Sequence, residues 1–430
     1  MPAPGRRGIA AWCLYDWASS AFNTVIGTFV FSVYFARSIY GDPAGAGCAE
    51  DPAGSALWGY VLGISGLAVA IASPILGAIA DRGGRRKPWL GLFVALTVVS
   101  TALLWFAEPD RAFAVYALVL VAVASIAFEL SGVFYNAMLP DIAPAGMVGR
   151  ISGWGWGLGY AGGLSALALS LFGFVGFGEM APLVDVGTER AENLRATAPL
   201  VAVWFAVFAL PLFLLTPDRP GLATTPLAAV REGLALLGRT IASVRRLGNV
   251  LRFLIASALY RDGLTTLFAV GGLYAACTMG MDFAEIIVFA IGLNVTAGLG
   301  AAGFAWLDDG MGSKKTIVIA LMGLIAFGIP LLLVTSSGLF IGLALGLGIF
   351  VGPAQAASRS LMAKLAPPDA ATEFFGLYAL TGKAAAFAGP ILFAVLTDAF
   401  ASQRAGMTGI LALWVAGGAL LLTVREPGRG

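Results

Sequence analysis

The sequence predicts an all-α membrane protein. Twelve transmembrane helices form two pseudo-symmetric six-helix bundles, with both termini on the cytoplasmic side. Three observations predict this: a count of long apolar runs, a one-sided distribution of Lys and Arg, and an internal repeat. Of the 430 residues, 59% are hydrophobic and 12% charged, against about half and a quarter in soluble domains. Most of the surface must therefore lie in lipid.

A bilayer core about 30 Å thick takes roughly 20 apolar residues per helical span. Runs of that kind fall near 9–38, 56–80, 89–107, 112–137, 148–177, 199–216, 250–275, 284–306, 316–334, 338–362, 373–397 and 406–424. They are numbered spans 1 to 12. The first is long and lacks a small-residue cleavage pattern, so it reads as a retained helix and not a signal peptide. The 57 glycines suit closely packed membrane helices.

Lys and Arg collect in cytoplasmic loops, so their distribution sets the orientation. One set of loops and tails carries nineteen, from Arg6 and Arg7 to Arg425 and Arg429, whereas the other carries only Arg37, Arg111, Arg190, Arg195 and Arg404. Both ends are therefore predicted inside. The net charge of +2 points to no nucleic-acid partner.

The only long polar stretch between spans, 217–249, divides the chain into an N-terminal bundle, 1–216, and a C-terminal bundle, 250–430. Within it Leu227, Val230, Leu234, Leu237, Ile241 and Val244 recur at steps of three and four, with Arg231, Arg239, Arg245 and Arg246 between them. That pattern predicts an amphipathic helix, which could lie along the anionic inner leaflet or simply be solvated. The halves also repeat. Asp81 to Lys87 matches Asp309 to Lys315 at an offset of 228, while Gly132–Pro144 matches Gln355–Pro367, and Gly153 matches Gly376, at 223. Span 1 aligns with span 7 at 246 when Asp16 is matched to Asp262, the excess lying in the outward Gly41–Ser55 loop.

The three cysteines make no disulfide framework. Cys13 lies near the inner end of span 1, while Cys48 and Cys277 lie at outer ends and are the only pair placed to meet in an oxidising space. Histidine is absent, which removes the commonest metal ligand and the usual near-neutral proton carrier, so proton coupling would need carboxylates. No metal site, cofactor, nucleophile–base pair or phosphate loop is expected. The glycine run of span 5 lacks the strand that a nucleotide fingerprint requires. The chain reads as no enzyme.

The run Gly77-Ala-Ile-Ala-Asp81-Arg-Gly-Gly84-Arg-Arg-Lys87, with a weaker copy from Asp309 to Lys315, resembles the loop motif of the major facilitator superfamily. A narrower match comes from Tyr15-Asp16-Trp17-Ala18-Ser19-Ser20-Ala21-Phe22, Tyr135-Asn136-Ala137-Met138-Leu139-Pro140, Gln355 to Ser360 and Glu373 to Lys383. These resemble the branch related to fungal vacuolar amino-acid effluxers and their bacterial relatives. The resemblance implies a monomeric secondary transporter in the cell inner membrane if the protein is bacterial. It also implies that the loop motif acts as a conformational latch through Asp81, Gly84, Arg85, Arg86, Asp309, Gly312 and Lys314. Span 4 departs from many proton-driven relatives in lacking an arginine and carrying Glu129. Span 5 has glycines at 153, 155, 157, 159, 162 and 163 but no proline, and they read as close helix packing in preference to a hinge.

Charges deep in a span are costly and mark functional candidates. Counting about 1.5 Å per residue from the predicted inner ends, Asp16 and Glu129 lie roughly 10–12 Å in, Arg261 and Asp262 slightly deeper, Lys383 near the midplane and Arg359 shallowest. In the superfamily, helices 1, 4, 7 and 10 line the central cavity, and five of these six charges fall on them. Asp16 could pair with Arg359 or Lys383, and Asp262 with Lys383. Three roles stay open: a charge network that closes the inner gate, a substrate site in which Lys383 and Arg359 hold a carboxylate while Asp16, Asp262 or Glu129 holds an ammonium group, and a proton carrier, for which Glu129 is the candidate because Gly352 stands at its repeat position. Ser20 and Asn23 share one face of span 1 with Asp16. Asn294, Tyr160, Trp156, Tyr378 and Gln355 extend the polar set, with interhelical packing as the competing role.

The expected activity is thus secondary active transport of a small polar or zwitterionic solute, an amino acid or short peptide, coupled to protons and working by rocker-switch alternating access. Efflux of amphipathic compounds such as bile salts or drugs would favour an aromatic, weakly charged cavity. A receptor or scaffold without turnover would not need intact loop motifs in both halves.

Overall fold

The computed structural model describes residues 5–41, 52–83, 85–142, 148–176, 180–218, 248–365, 377–378, 380–382 and 384–426. Its regular elements are all helical. They are α1 (Arg6–Ala21), α2 (Phe31–Tyr34), α3 (Ala53–Gly83), α4 (Lys87–Leu103), α5 (Ala114–Ile142), α6 (Val148–Ser170), α7 (Glu192–Arg195), α8 (Thr197–Leu215), α9 (Gly248–Cys277), α10 (Phe283–Met311), α11 (Ser313–Leu333), α12 (Ser337–Leu365), α13 (Ala388–Phe400) and α14 (Gln403–Leu422). Eleven stretches among the described residues are long and apolar enough to cross a membrane, and α13 is a shorter twelfth. These agree with the twelve predicted spans.

Span 1 is a continuous 34-residue stretch, Arg6–Ile39, in which α1 and α2 are joined and followed by π-helical turns at Phe22–Phe29 and Phe35–Ile39. Such wide turns are rare and tend to mark functional places. Span 11, predicted as one helix over 373–397, is interrupted. A turn at Ala386–Phe387 precedes α13, and Pro390 stands in its first turn. A proline ring clashes with the carbonyl four residues earlier, here Ala386. Pro211, Pro330 and Pro353 sit inside unbroken helices, so the proline alone does not cause the break.

By packing, the chain forms two units, Met1–Gly47 with Ile71–Leu237, and Cys48–Ala70 with Gly238–Gly430. Helix α3 contributes to both. In the first unit Trp12, Tyr15, Leu90, Phe134, Tyr135, Ile151 and Phe205 form a buried core. In the second, the first part of α3 lies on span 11: a Cβ on Gly63 would sit 2.4 Å from Ile391 and one on Gly66 3.3 Å from Phe387. Large apolar side chains such as Val115, Leu214 and Leu333 stay more than two-thirds exposed, as a lipid-facing surface requires.

The predicted linker helix and Cys48, Gly84, Gly376 and Lys383 lie outside the described residues. Cys277 is disulfide-bonded, while Cys13 is a buried free thiol.

Candidate substrate and coupling site

In the first unit, span 1 lies against the glycines of span 5. A Cβ on Gly155 would come 2.4 Å from Asp16 Oδ2, one on Gly159 2.9 Å from Ser20 Oγ, one on Gly162 2.3 Å from the Trp17 carbonyl oxygen, and one on Gly163 2.7 Å from Thr24 Oγ1. These glycines work as close packing, and the bare backbone makes room for Asp16 and Ser20. Gly157 has nothing within 4 Å of such a Cβ. From span 4, Tyr135 stacks on Trp12 and Tyr15, with ring centroids 4.4 and 4.5 Å apart. Its hydroxyl donates to the Trp12 carbonyl at 3.1 Å, and the Trp12 indole donates to the Tyr135 carbonyl at 3.2 Å. The aromatic stack fixes the turn that carries Asp16, which is half-buried.

In the second unit, Arg261 takes the corresponding place. Its guanidinium lies 4.2 Å from the centroid of the Tyr378 ring, a cation–π contact. It donates to the Tyr378 carbonyl at 3.4 Å, and a Cβ on Gly382 would lie 3.0 Å from its Nη1. Its neighbour Asp262 points elsewhere, accepting from the Gly389 N–H at 2.7 Å.

This geometry corrects the register of the repeat in spans 1 and 7. Tyr15 and Tyr260 are both fully buried, and each hydroxyl bonds a serine of the fourth span in its own half: Ser131 at 2.9 Å and Ser358 at 2.6 Å. Asp16 faces Gly159, and Arg261 faces Gly382, a pair at the offset of 223 expected for spans 5 and 11. The equivalent positions are therefore Tyr15 with Tyr260 and Asp16 with Arg261, not Asp16 with Asp262. Matching like charges misplaced the register by one residue, because the equivalent charges have opposite sign.

The remaining candidates are spread more widely. Asn23 stands at the start of a π-helical segment and is exposed, as are Glu129, Tyr160 and Arg359, while Gln355 is half-buried. The period of 3.6 that aligned Asn23 with Asp16 and Ser20 does not continue through the π turns. Asn294 donates to the Ala290 carbonyl of its own helix at 2.8 Å. For Trp156, Asp81 and Asp309 the backbone is helical, and their side chains are not among those described.

At the loop motifs the structure shows two matching carboxylate clamps that the sequence reading missed. In the first unit Asp218, just past span 6, accepts from the Arg86 and Lys87 backbone N–H groups at 3.0 and 3.2 Å, capping α4. Lys87 Nζ donates to the Phe213 carbonyl at 2.9 Å, and buried Arg86 pairs with Asp141 at the end of span 4. In the second unit Glu426, just past span 12, accepts from the Ser313 and Lys314 N–H groups, both at 3.0 Å. Lys314 Nζ donates to the Leu422 and Val424 carbonyls at 2.8 and 2.6 Å, and Lys364 from span 10 pairs with Glu426 at 3.0 Å. Gly312 has φ of 98°, a region that favours glycine. Burial alone would raise the Glu426 carboxyl, but Lys364 and the two N–H groups outweigh it and hold it below the usual carboxylate range. A carboxylate at a helix N-terminus satisfies orphaned N–H groups and meets the positive end of the helix dipole. One signal was available: each repeat carries an acidic residue within four residues of the end of its last apolar run, Asp218 and Glu426.

The sequence matches, over residues 4–427, the family described as vacuole effluxer Atg22 like. It is 28% identical to the uncharacterized MFS-type transporter YxiO of Bacillus subtilis (strain 168), across 97% of this chain and 94% of that one. It is 27% identical to autophagy-related protein 22 of Coccidioides immitis (strain RS), across 83% and 70%. The fold is similar to the crystal structure of a D-xylose-proton symporter, with a TM-score of 0.71, 13% identity and 97% of each chain covered. It is also similar to that of a peptide transporter POT, with a TM-score of 0.68, 15% identity and coverage of 98% and 95%. The chain belongs to the Atg22-like vacuole effluxer family and is a multi-pass membrane transporter of the major-facilitator type, not an enzyme.

Proposed function

We propose that this protein is a secondary active transporter of a small zwitterionic solute, an amino acid or short peptide, driven by a proton gradient. It works by alternating access, with both termini on the cytoplasmic side. One observation carries the substrate class. At equivalent positions of the repeat, each half holds one half-buried charge on its first span against a glycine of its fifth: the carboxylate of Asp16 in one and the guanidinium of Arg261 in the other. An ammonium group suits the first charge and a carboxylate the second, each through a charge-assisted hydrogen bond, and a zwitterion carries both groups. Membrane charges of this kind are kept for ions and substrates. The aromatic neighbours Tyr135 and Tyr378 hold the two turns in place without neutralising either charge.

The test is uptake into proteoliposomes under an imposed pH gradient, with a panel of amino acids and short peptides. Accumulation that collapses with the gradient is expected. If no member of the panel moves under any gradient, the substrate class fails. Raised tolerance of bile salts or drugs in a pump-deficient host, without amino-acid transport, would replace it with efflux of amphipathic compounds.

A further inference from the structure

The break in span 11 leaves a helix N-terminus inside a membrane-spanning segment, where the first N–H groups have neither helical partners nor water. In α13 one of them is met by a side chain from span 7, since Gly389 N–H donates to Asp262 Oδ2 at 2.7 Å. Asp262 is 3% exposed, and Thr266, one turn further along the same helix, is fully buried. Asp262 Oδ1 and Thr266 Oγ1 are both sealed from solvent, and neither has a partner other than the other. A Cβ built on Gly389 would lie 2.0 Å from Thr266 Oγ1 and 3.1 Å from Asp262 Oδ1. The carboxylate, the hydroxyl and the start of α13 therefore converge on one point, with one carboxylate oxygen held by the Gly389 N–H and the other left to the threonine.

Among the described residues no neighbouring charge answers Asp262. On its own helix, Arg261 turns to the Tyr378 ring and Tyr260 bonds Ser358. On α13 the only ionisable residue is Asp398, nine residues past Gly389 and about 14 Å along the helix. Span 12 presents Trp414, whose ring lies against Gly263, while its Arg404 donates to the Val334 carbonyl at 3.0 Å. Span 10 carries Arg359, which is exposed, and Lys364, which is engaged with Glu426. The part of α3 packed on span 11 is uncharged and presents Gly59, Gly63 and Gly66. Lys383 lies outside the described residues.

The chemistry of the pair suits a proton better than a metal ion. A hard metal ion takes about six or more oxygens, and only two stand free here. Among the described residues no cluster of His, Cys, Asp or Glu suits a metal. The Thr266 hydroxyl can donate to the ionised Oδ1, and a proton added to Oδ1 can be donated back to Thr266 Oγ1, so the pair stays in contact in either charge state.

We infer that Asp262 and Thr266 form a proton-binding site built onto the break in span 11, and that the charge state of this site controls the cap on α13. The ionised carboxylate holds the Gly389 N–H with a charge-assisted bond at the positive end of α13. The neutral acid holds it more weakly, so loss of the cap and uptake of the proton favour each other, as linked equilibria must. Its role in transport rests on the proton-coupled reading above, whereas the site itself can be tested without a solute.

The test uses the full chain in liposomes and pH-difference infrared spectroscopy. Acidification should produce a protonated-carboxyl band that is absent from Asp262→Asn and present in Glu129→Gln. Thr266→Val, which keeps shape and removes the hydroxyl, should shift the pH midpoint of that band. Hydrogen exchange of the amides at the start of α13 should run roughly tenfold or more faster in Asp262→Asn than in the wild type at high pH, with the two converging at low pH. A band that survives in Asp262→Asn, or a midpoint unchanged in Thr266→Val, overturns the site whether or not a solute has been found. If the site passes and the wild type shows no pH-driven uptake of any solute, the proton-coupled reading of transport is the part that has failed.

Discussion

Asp16 and Arg261 are side chains of opposite charge in equivalent surroundings: the first span of each repeat, a glycine of the fifth span beside them, and a buried tyrosine one residue earlier. Each charge keeps partial access, and among the described residues neither forms an ion pair within its own half. Asp16→Asn and Arg261→Gln are both expected to abolish solute uptake while leaving membrane insertion and thermal stability close to wild type. Each removes a charge-assisted contact of about 1.5–3 kcal/mol, or roughly 10- to 150-fold in affinity. Equal uptake by wild type and either variant in the same proteoliposome assay would remove that residue from the site. The charges themselves were legible in the sequence, since an ionisable residue inside an apolar run stands out by contrast. Tyr378 and the span 5 glycines were also picked out, but not which charge each one meets, because glycine, tyrosine and threonine are ordinary in such helices. Asp16 was therefore found from sequence, while Thr266 and the Gly389 N–H were not.

Two helices show where periodicity stops being informative. Span 5 reads as a glycine run of uniform meaning, but only some of its glycines are required. Gly162 approaches the Trp17 backbone, so Gly162→Ala should cost about 1–3 kcal/mol of stability through overpacking. Gly157→Ala, at an open position, should be neutral or slightly stabilising, since helical glycine costs about 1 kcal/mol relative to alanine. Thermal unfolding of the two variants in detergent checks both, and equal midpoints would mean that span 1 does not lie on span 5 as described. Span 11 reads as a continuous helix because a proline within an apolar run does not by itself break one. Pro211, Pro330 and Pro353 are carried through. Pro353 also follows a glycine, so what distinguishes Pro390 is a carboxylate supplied from span 7, a contact between residues 127 apart in sequence. The π-helical turns of span 1 were equally hidden, because nothing in residues 22–29 departs from the composition of an α-helical span.

Across the molecule, the number of spans was legible because lipid imposes a long apolar run on every one of them. The way α3 divides between the two packing units was not, since a helix's own sequence does not say which neighbours it serves. The Glu426 clamp is the feature through which acidity should act on the second half. Glu426 is held below the usual carboxylate range, so its contribution is complete at neutral pH and is lost only as the pH falls through that lowered value, below where an ordinary glutamate titrates. Glu426→Gln should reproduce the loss at neutral pH, lowering stability by about 1–3 kcal/mol, with a smaller effect if solvent screens the pair. Thermal midpoints of variant and wild type should converge in strong acid, and a constant gap at all pH values would show that Glu426 acts by shape alone.

Both clamps have the same order along the chain: the residue that anchors the third span of a half comes after the sixth. Neither half can close upon itself until its last helix has been made. Asp218 precedes Glu426 by 208 positions, so at about 5–20 residues per second of synthesis the first half can fasten roughly 10–40 s before the second. During that interval the later half is still being laid into the membrane with the start of its third helix unanchored. This is the period in which a surveillance protease would meet it.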